Sequence, residues 1–275
     1  MNESLEARVE ELVAFIDALR PETASLPTLV YFNIIGIAWP IRCLLHLKQV
    51  EYSYVPISIQ EWSFRSSDGC QILKNAFSNG HVPLYVDQDI SLNQSTLILK
   101  ILAHKHGLMG SDDAQALQIE SVLAHCYDAL FSWGGILPVN VRLNIPDEVA
   151  QARLNAFMGD GVWGLATNGY RSHLDGFMNI LEANPSGSGF LVGERLSAAD
   201  LSAFNVLGNW YKAFDRQVFA DEYPLLDDYI HRIAADPAIA SYIREIQEPT
   251  LWFELPTVAL RLTSREELEG LVDLP

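Results

Sequence analysis

The stretch His81-Val82-Pro83-Leu84-Tyr85-Val86-Asp87-Gln88-Asp89-Ile90-Ser91-Leu92-Asn93-Gln94-Ser95 decides the fold. It reads as two short strands, one around Tyr85 and one around Ser91, followed by a helix from Ser95 to His106. Strands this short do not bury enough to stand alone, so they must complete a sheet begun earlier in the chain.

That sheet begins upstream. Thr28 to Asn33 reads as a strand, Ala38 to Gln49 as a helix and Glu51 to Ile57 as a second strand; an irregular stretch with a short helix near Gln71 to Ala76 leads into the decisive segment. A βαβ unit followed by ββα is the thioredoxin arrangement, a mixed four-stranded sheet covered by helices. Before it, Leu5, Val9, Leu12, Val13 and Ile16 recur at helical spacing as far as about Arg20, and Pro21 to Pro27 is a linker. After Gly107 the strand signals stop. Helical patterns run over Asp112 to Trp133, Asp147 to Phe157, Asn168 to Glu182, Ser197 to Phe214 and Leu225 to Ala234. The expected organisation is an amino-terminal helix and linker (1–26), an α/β thioredoxin-like domain (27–107), an all-α domain (108–248) and a tail (249–275).

Composition narrows the partners. The 275 residues carry 18 Lys and Arg against 35 Asp and Glu, a formal charge of −17 that repels nucleic acid and anionic lipid surfaces. Cys43, Cys70 and Cys126 are widely spaced, with no CxxC pair, which fits a reducing compartment and gives no metal-ligand pattern. Glu3, Glu6, Glu10 and Glu11 are wrong for a leader, and no apolar run reaches spanning length, so the expectation is a cytoplasmic protein with no metal.

Tyr31-Phe32-Asn33-Ile34-Ile35-Gly36-Ile37-Ala38, with Arg42 in the next helix, resembles the opening strand and helix of glutathione transferases of the pi and sigma classes. His81-Val82-Pro83-Leu84 followed by Leu92-Asn93-Gln94-Ser95 resembles the family's cis-proline and Gln-Ser pair at their usual separation. Phe190-Leu191-Val192-Gly193 leading into Ser197-Ala198-Ala199-Asp200 is similar to the capping box of a buried helix in the family's carboxyl domain, and Tyr223-Pro224-Leu225-Leu226 with Asp236-Pro237 resembles its late helices. The resemblance spans roughly residues 28 to 250.

The resemblance implies a glutathione site. Gln94 and Ser95 would offer helix-start donors to the γ-glutamyl carboxylate, and Val82, ahead of cis Pro83, would pair with the cysteinyl unit, with His81 beside it. Trp62 and Lys74 would hold the glycyl carboxylate, and Asp128 would reach across a homodimer to the ligand's amine. Tyr31 would donate to sulfur and favour thiolate over thiol. On residue type alone the alternatives are a core-strand tyrosine, an ordinary X-Pro turn, an anchoring tryptophan, a surface lysine and a solvated aspartate.

The chain departs from the family at Ile35 and Ile37, where pi and sigma enzymes carry arginines beside the tyrosine. The same change makes the second-substrate pocket more apolar; Phe32, Ile34, Ile35, Ile37, Trp39, Trp133 and Leu137 are its expected lining, suited to hydrophobic electrophiles. Three function classes follow: a transferase acting on electrophiles, a glutathione-binding protein with little turnover, and a thiol-disulfide reductase. The last needs a cysteine near Asn33 to Gly36, and none is there. The tail with Leu251, Trp252 and Phe253 would either cover the pocket or pack on the first helix.

Overall fold

The computed structural model of the protein describes residues 2–33, 36–134, 161–162, 167–213 and 216–245. The chain divides into two compact units, Met1–Leu102 and Ala103–Pro275.

In the first unit, strands β1 (Thr28–Phe32), β2 (Ser53–Ile57), β3 (Leu84–Val86) and β4 (Ser91–Asn93) form one sheet in the order β2-β1-β3-β4. The β1–β2 pair is parallel and the other two pairs are antiparallel, the mixed sheet of a thioredoxin-like domain. The β1–β2 crossover carries helix α2 (Trp39–Leu47), entered through a proline in its first turn, where the missing N–H leaves no bond unmade. Nearly the whole of α2 is buried, including Arg42, whose guanidinium lies 4.2 Å above the ring of Tyr54.

Helix α1 (Asn2–Ala18) belongs to this unit. Its Val9, Leu12 and Ile16 are 0%, 2% and 3% exposed and join one cluster with Val30, Ile57, Trp62, Leu73, Phe77, Leu84 and Val86. Burial of each such side chain is worth roughly 2 kcal/mol, so α1 is bound as core rather than appended. It packs on the short helices α3 (Ile59–Ser63) and α4 (Ile72–Asn75). Helix α5 (Ser95–Lys105) completes the ββα half, burying Ile98, Leu99 and Leu102.

The second unit is helical, with α6 (Asp113–Gly134), α7 (Tyr170–Ala183), α8 (Ala198–Ala213), α9 (Arg216–Glu222), α10 (Pro224–Ala234) and α11 (Pro237–Glu245). A two-residue ladder, β5 (Gly161–Val162) with β6 (Thr167–Asn168), is an addition to the all-helical expectation. The expected helix over Asp147 to Phe157 and the tail after Pro249 lie outside the described residues. Helix α6 packs along α8, bringing Ile119, Val122, Leu123 and Cys126 into a core with Leu201, Phe204 and Leu207. Burial pushes the Cys126 thiol up to about 12, so it is an inert core group.

Asp200 sits in that core at 0% exposure and accepts from Leu191 N (2.9 Å), Ser197 N (2.8 Å), Ser197 Oγ (2.8 Å) and Tyr229 Oη (3.2 Å). Its carboxylate thereby closes the start of α8, ties in the preceding loop and anchors α10.

His173, 1% exposed on α7, places Nε2 3.1 Å from Ser132 Oγ and its ring beside those of His125 and Trp210. Burial, and to a smaller extent His125, hold its pKa at about 4, against an ordinary value of 6.5. A folded pKa depressed in this way means the unfolded chain binds the extra proton more readily. The neutral-His contribution is therefore complete above pH 6.5 and is lost as pH falls towards 4, about 3 kcal/mol in all. Urea midpoints measured at pH 7.5 and at pH about 4.5 should converge between wild type and His173→Gln; a gap that stays constant would show that His173 is not the titrating group.

Candidate active site

Three adjacent strands end at one edge of the first unit. The register pairs Val30 with Leu84 and Leu84 with Asn93. One step further along each strand, Tyr31, Pro83 and Gln94 lie side by side at the same end of the sheet. Catalytic, cis-proline and helix-start candidates are thus gathered by strand pairing alone.

Tyr31 is 4% exposed, and its Oη accepts a hydrogen bond from Ile37 N at 3.2 Å. Burial raises the phenol's pKa well above the ordinary tyrosine range, with the Ile37 N–H pulling it part of the way back. The group is therefore a neutral phenol at physiological pH, able to donate its own proton while accepting another. The cover is a glycine for a geometric reason. Gly36 has φ +46°, and a Cβ there would overlap Tyr31 Oη and stand 2.9 Å from Cε1. Gly36→Ala combines a left-handed backbone with that collision, and is expected to cost about 2–3 kcal/mol in urea unfolding. A loss under about 0.5 kcal/mol would mean the phenol can step aside freely.

The Val82-Pro83 peptide bond is cis. The segment around it is pinned by Asn93, whose Nδ2 donates to His81 O (2.9 Å) and Pro83 O (3.3 Å) while its Oδ1 accepts from Ser78 Oγ (3.0 Å). One amide thereby fixes both sides of Val82, a positioning role that the motif contained and sequence reading did not assign. His81 is exposed; its Nδ1–H donates to Asn79 O at 2.5 Å, so the ring is tied to its own turn. Gln94 carries φ +79°, uncommon for a side chain without Asn or Asp chemistry, and its carbonyl accepts from Ile98 N as α5 begins. Ser95, half-buried, is the first residue of α5.

Lys74, on α4, is half-buried, and its stem runs across Gly80: a Cβ on Gly80 would meet Lys74 Cε at 3.3 Å. The ammonium's carrier thus lies against the turn that leads into His81 and Val82. Trp62, on α3, is 9% exposed, with its ring 5.4 Å from Phe32 and 5.6 Å from Phe77. Phe32 in turn is 5.4 Å from Tyr31, so an aromatic row runs from the catalytic candidate to α4's following residues.

A family profile described as glutathione S-transferase, N-terminal domain, matches residues 27–104, and one described as glutathione S-transferase, C-terminal domain, matches residues 166–245. The chain belongs to the glutathione S-transferase family. The Xenopus laevis glutathione S-transferase P 1 is 30% identical over 216 residues, covering 78% of this chain and 91% of the relative; the human glutathione S-transferase P is 26% identical over 220 residues, covering 78% and 90%. Among solved structures, NaGST-2 aligns with a TM-score of 0.66 at 23% identity over 82% of this chain and 99% of that one. Na-GST-3 of the hookworm Necator americanus, described as monomeric, also reaches 0.66, at 23% identity over 83% and 100%. These likenesses establish the two-part architecture of glutathione S-transferases, and α1 precedes the residues that the family profile matches.

Two of the remaining candidates, Phe32 and Ile37, lie in the first unit. Phe32 is half-buried against Trp62, and Ile37 is half-buried with its backbone N–H on Tyr31. Asp128 is exposed on α6, in the second unit. Ile34, Ile35 and Leu137 lie outside the described residues, as does the side chain of Trp133.

Proposed function

We propose that this chain joins the thiolate of glutathione to hydrophobic electrophiles, with Tyr31 stabilising the thiolate. The observation that carries this reading is the buried Tyr31 phenol, held protonated and hydrogen-bonded by Ile37 N, at the strand end it shares with cis Pro83 and Gln94. A phenol that already accepts an N–H is polarised towards donation, and its raised pKa keeps it from surrendering the proton. It therefore acts as a donor to S⁻ rather than as a base. The proton of the thiol leaves to solvent, sulfur attacks the electrophilic carbon, and the leaving group or the added carbon's electron pair takes the charge.

For the rest of glutathione, the donors at the start of α5, with Ser95 Oγ, suit the γ-glutamyl carboxylate. The main chain of Val82, fixed by Asn93, suits the cysteinyl unit, with His81 beside it, and Lys74 with Trp62 suits the glycyl carboxylate. Phe32 and Ile37 bring apolar surface beside the phenol, which favours a hydrophobic second substrate. Asp128, exposed on its helix, is assigned to the amine of a glutathione bound by a second copy in a homodimer.

Ile37 favours a second reading, a glutathione-binding protein with weak turnover, because no cation from that position reinforces the thiolate. Retention on immobilised glutathione combined with turnover of an aryl halide supports the transferase. Retention without turnover selects the binder, and no retention removes both.

A further inference from the structure

Helix α1 lies outside the matched family residues yet is seated on the two short helices that carry Trp62 and Lys74. We propose that α1 is a positioning element for the glycyl end of the glutathione site, holding α3 and α4 so that Trp62 and Lys74 meet the glycyl carboxylate. The inference rests on the assignment of those two residues given above.

The physical problem it solves is the shortness of the helices. Helix α3 has five residues and α4 has four, far below the length at which a helix holds itself in water. Their conformation must come from packing, and α1 supplies much of it. Leu12, Val9 and Ile16 share one buried cluster with Trp62 on α3 and with Leu73 and Phe77 on and just after α4. Leu73 immediately precedes Lys74, and Phe77 touches the Trp62 ring, so one apolar contact surface sets the pose of both candidate ligand residues.

A polar link runs parallel to it. Arg8 Nε lies 3.4 Å from Glu61 Oε1, while Glu61 Oε2 accepts from Ser58 N at 2.6 Å and Ser58 Oγ accepts from Glu61 N at 3.1 Å. Arg8 therefore grips the acid that closes the capping box of α3, one residue before Trp62. The pair is partly exposed and secondary to the apolar contact. Gly80 completes the arrangement at the other end, letting the Lys74 stem cross the turn before the cis-proline. If α1 loosens, α3 and α4 lose most of their support, whereas Tyr31 stays on the sheet, Ser95 stays on α5, and Val82, which also packs against this cluster, is still held on both sides by Asn93.

The test uses two probes that differ only at the glycine: glutathione and γ-glutamylcysteine. Their dissociation constants are measured calorimetrically on the full chain and on Leu12→Ala, Arg8→Ala and Lys74→Ala, with far-ultraviolet circular dichroism to confirm folding. Wild type should prefer glutathione by about ten-fold or more, the worth of one or two charge-assisted hydrogen bonds. Lys74→Ala should lose most of that preference. Leu12→Ala should lose it too while binding γ-glutamylcysteine as well as wild type, and Arg8→Ala, which touches no core, should lose part of it, about two- to three-fold. An undiminished preference in Leu12→Ala, or equal weakening of both probes, overturns the role of α1 and leaves the ligand assignments standing. Should Leu12→Ala not fold, an undiminished preference in Arg8→Ala overturns it. A wild type that binds both probes equally, or neither, removes the assignment of Trp62 and Lys74 and the inference with it.

Discussion

Tyr31→Phe is expected to lower turnover with an aryl halide by roughly 10- to 100-fold at neutral pH while changing glutathione affinity by less than about three-fold. The magnitude comes from the thiol. With a pKa near 8.5 only a few per cent is thiolate at pH 7, and one donor aimed at sulfur shifts that pKa by about one to two units. The variant keeps the ring, its packing on Phe32 and almost all of its volume, and removes one oxygen. Affinity should survive because, in the proposed site, other residues hold the carboxylates and the main chain of the ligand. Two controls separate the chemistry from collateral damage. The variant leaves Ile37 N without its acceptor, which costs about 1 kcal/mol of stability, so activity must be compared well below the melting temperature. Raising pH should also rescue the variant, because the missing thiolate is supplied by hydroxide. Equal turnover at pH 7 would take Tyr31 out of the mechanism.

Asp200→Ala is expected to destabilise the helical unit by about 3–5 kcal/mol, seen as a loss of urea midpoint. Four donors from Leu191, Ser197 and Tyr229 converge on this fully buried carboxylate, and all of them would face an apolar methyl. Burial raises the carboxyl pKa and the donors lower it again, so the fold pays for a desolvated acid and recovers the cost only through its partners. Tyr229→Phe removes one donor and should lose about 1 kcal/mol, and Asp200→Asn, which turns one acceptor into a donor, should fall between the two. A loss below 1 kcal/mol for Asp200→Ala would mean that water replaces the carboxylate and the core around α8 is open.

Much of this was legible in the chain itself. The residue pattern of 28–57 and 81–106 sufficed for the mixed sheet because strand alternation and the crossover leave few topologies. Boundaries moved by a residue or two: the first helix ends at Ala18 rather than about Arg20, and β2 starts at Ser53 rather than Glu51. Helix α11 carried no helical periodicity reading of its own and entered only through the resemblance of Asp236-Pro237 to the family's late helices; Asp236 before Pro237 is a cap followed by a first-turn proline, and Asp236 Oδ1 does accept from Ala238 N. Ser58-x-x-Glu61 likewise announced α3. The ladder of β5 and β6 was not readable, because two-residue strands have no period to detect.

The site was legible by residue type and not by contact. Gln94's positive φ, Asn93's grip on two carbonyls and the close approach of Gly36 to a phenol five places earlier depend on tertiary geometry that no local pattern encodes. Trp62 shows the same limit from the other side: an indole read as a ligand contact is also the hub of a core that joins Phe32, Phe77 and α1.

The most direct test of the whole account is an ultraviolet titration of the thiolate band of glutathione bound to the protein. Wild type should show the bound thiol ionising one to two pH units below the free value of about 8.5, and Tyr31→Phe should return it to within a few tenths of that value. A bound thiol that ionises like free glutathione in the wild type, or one whose ionisation ignores the loss of the Tyr31 hydroxyl, would contradict it.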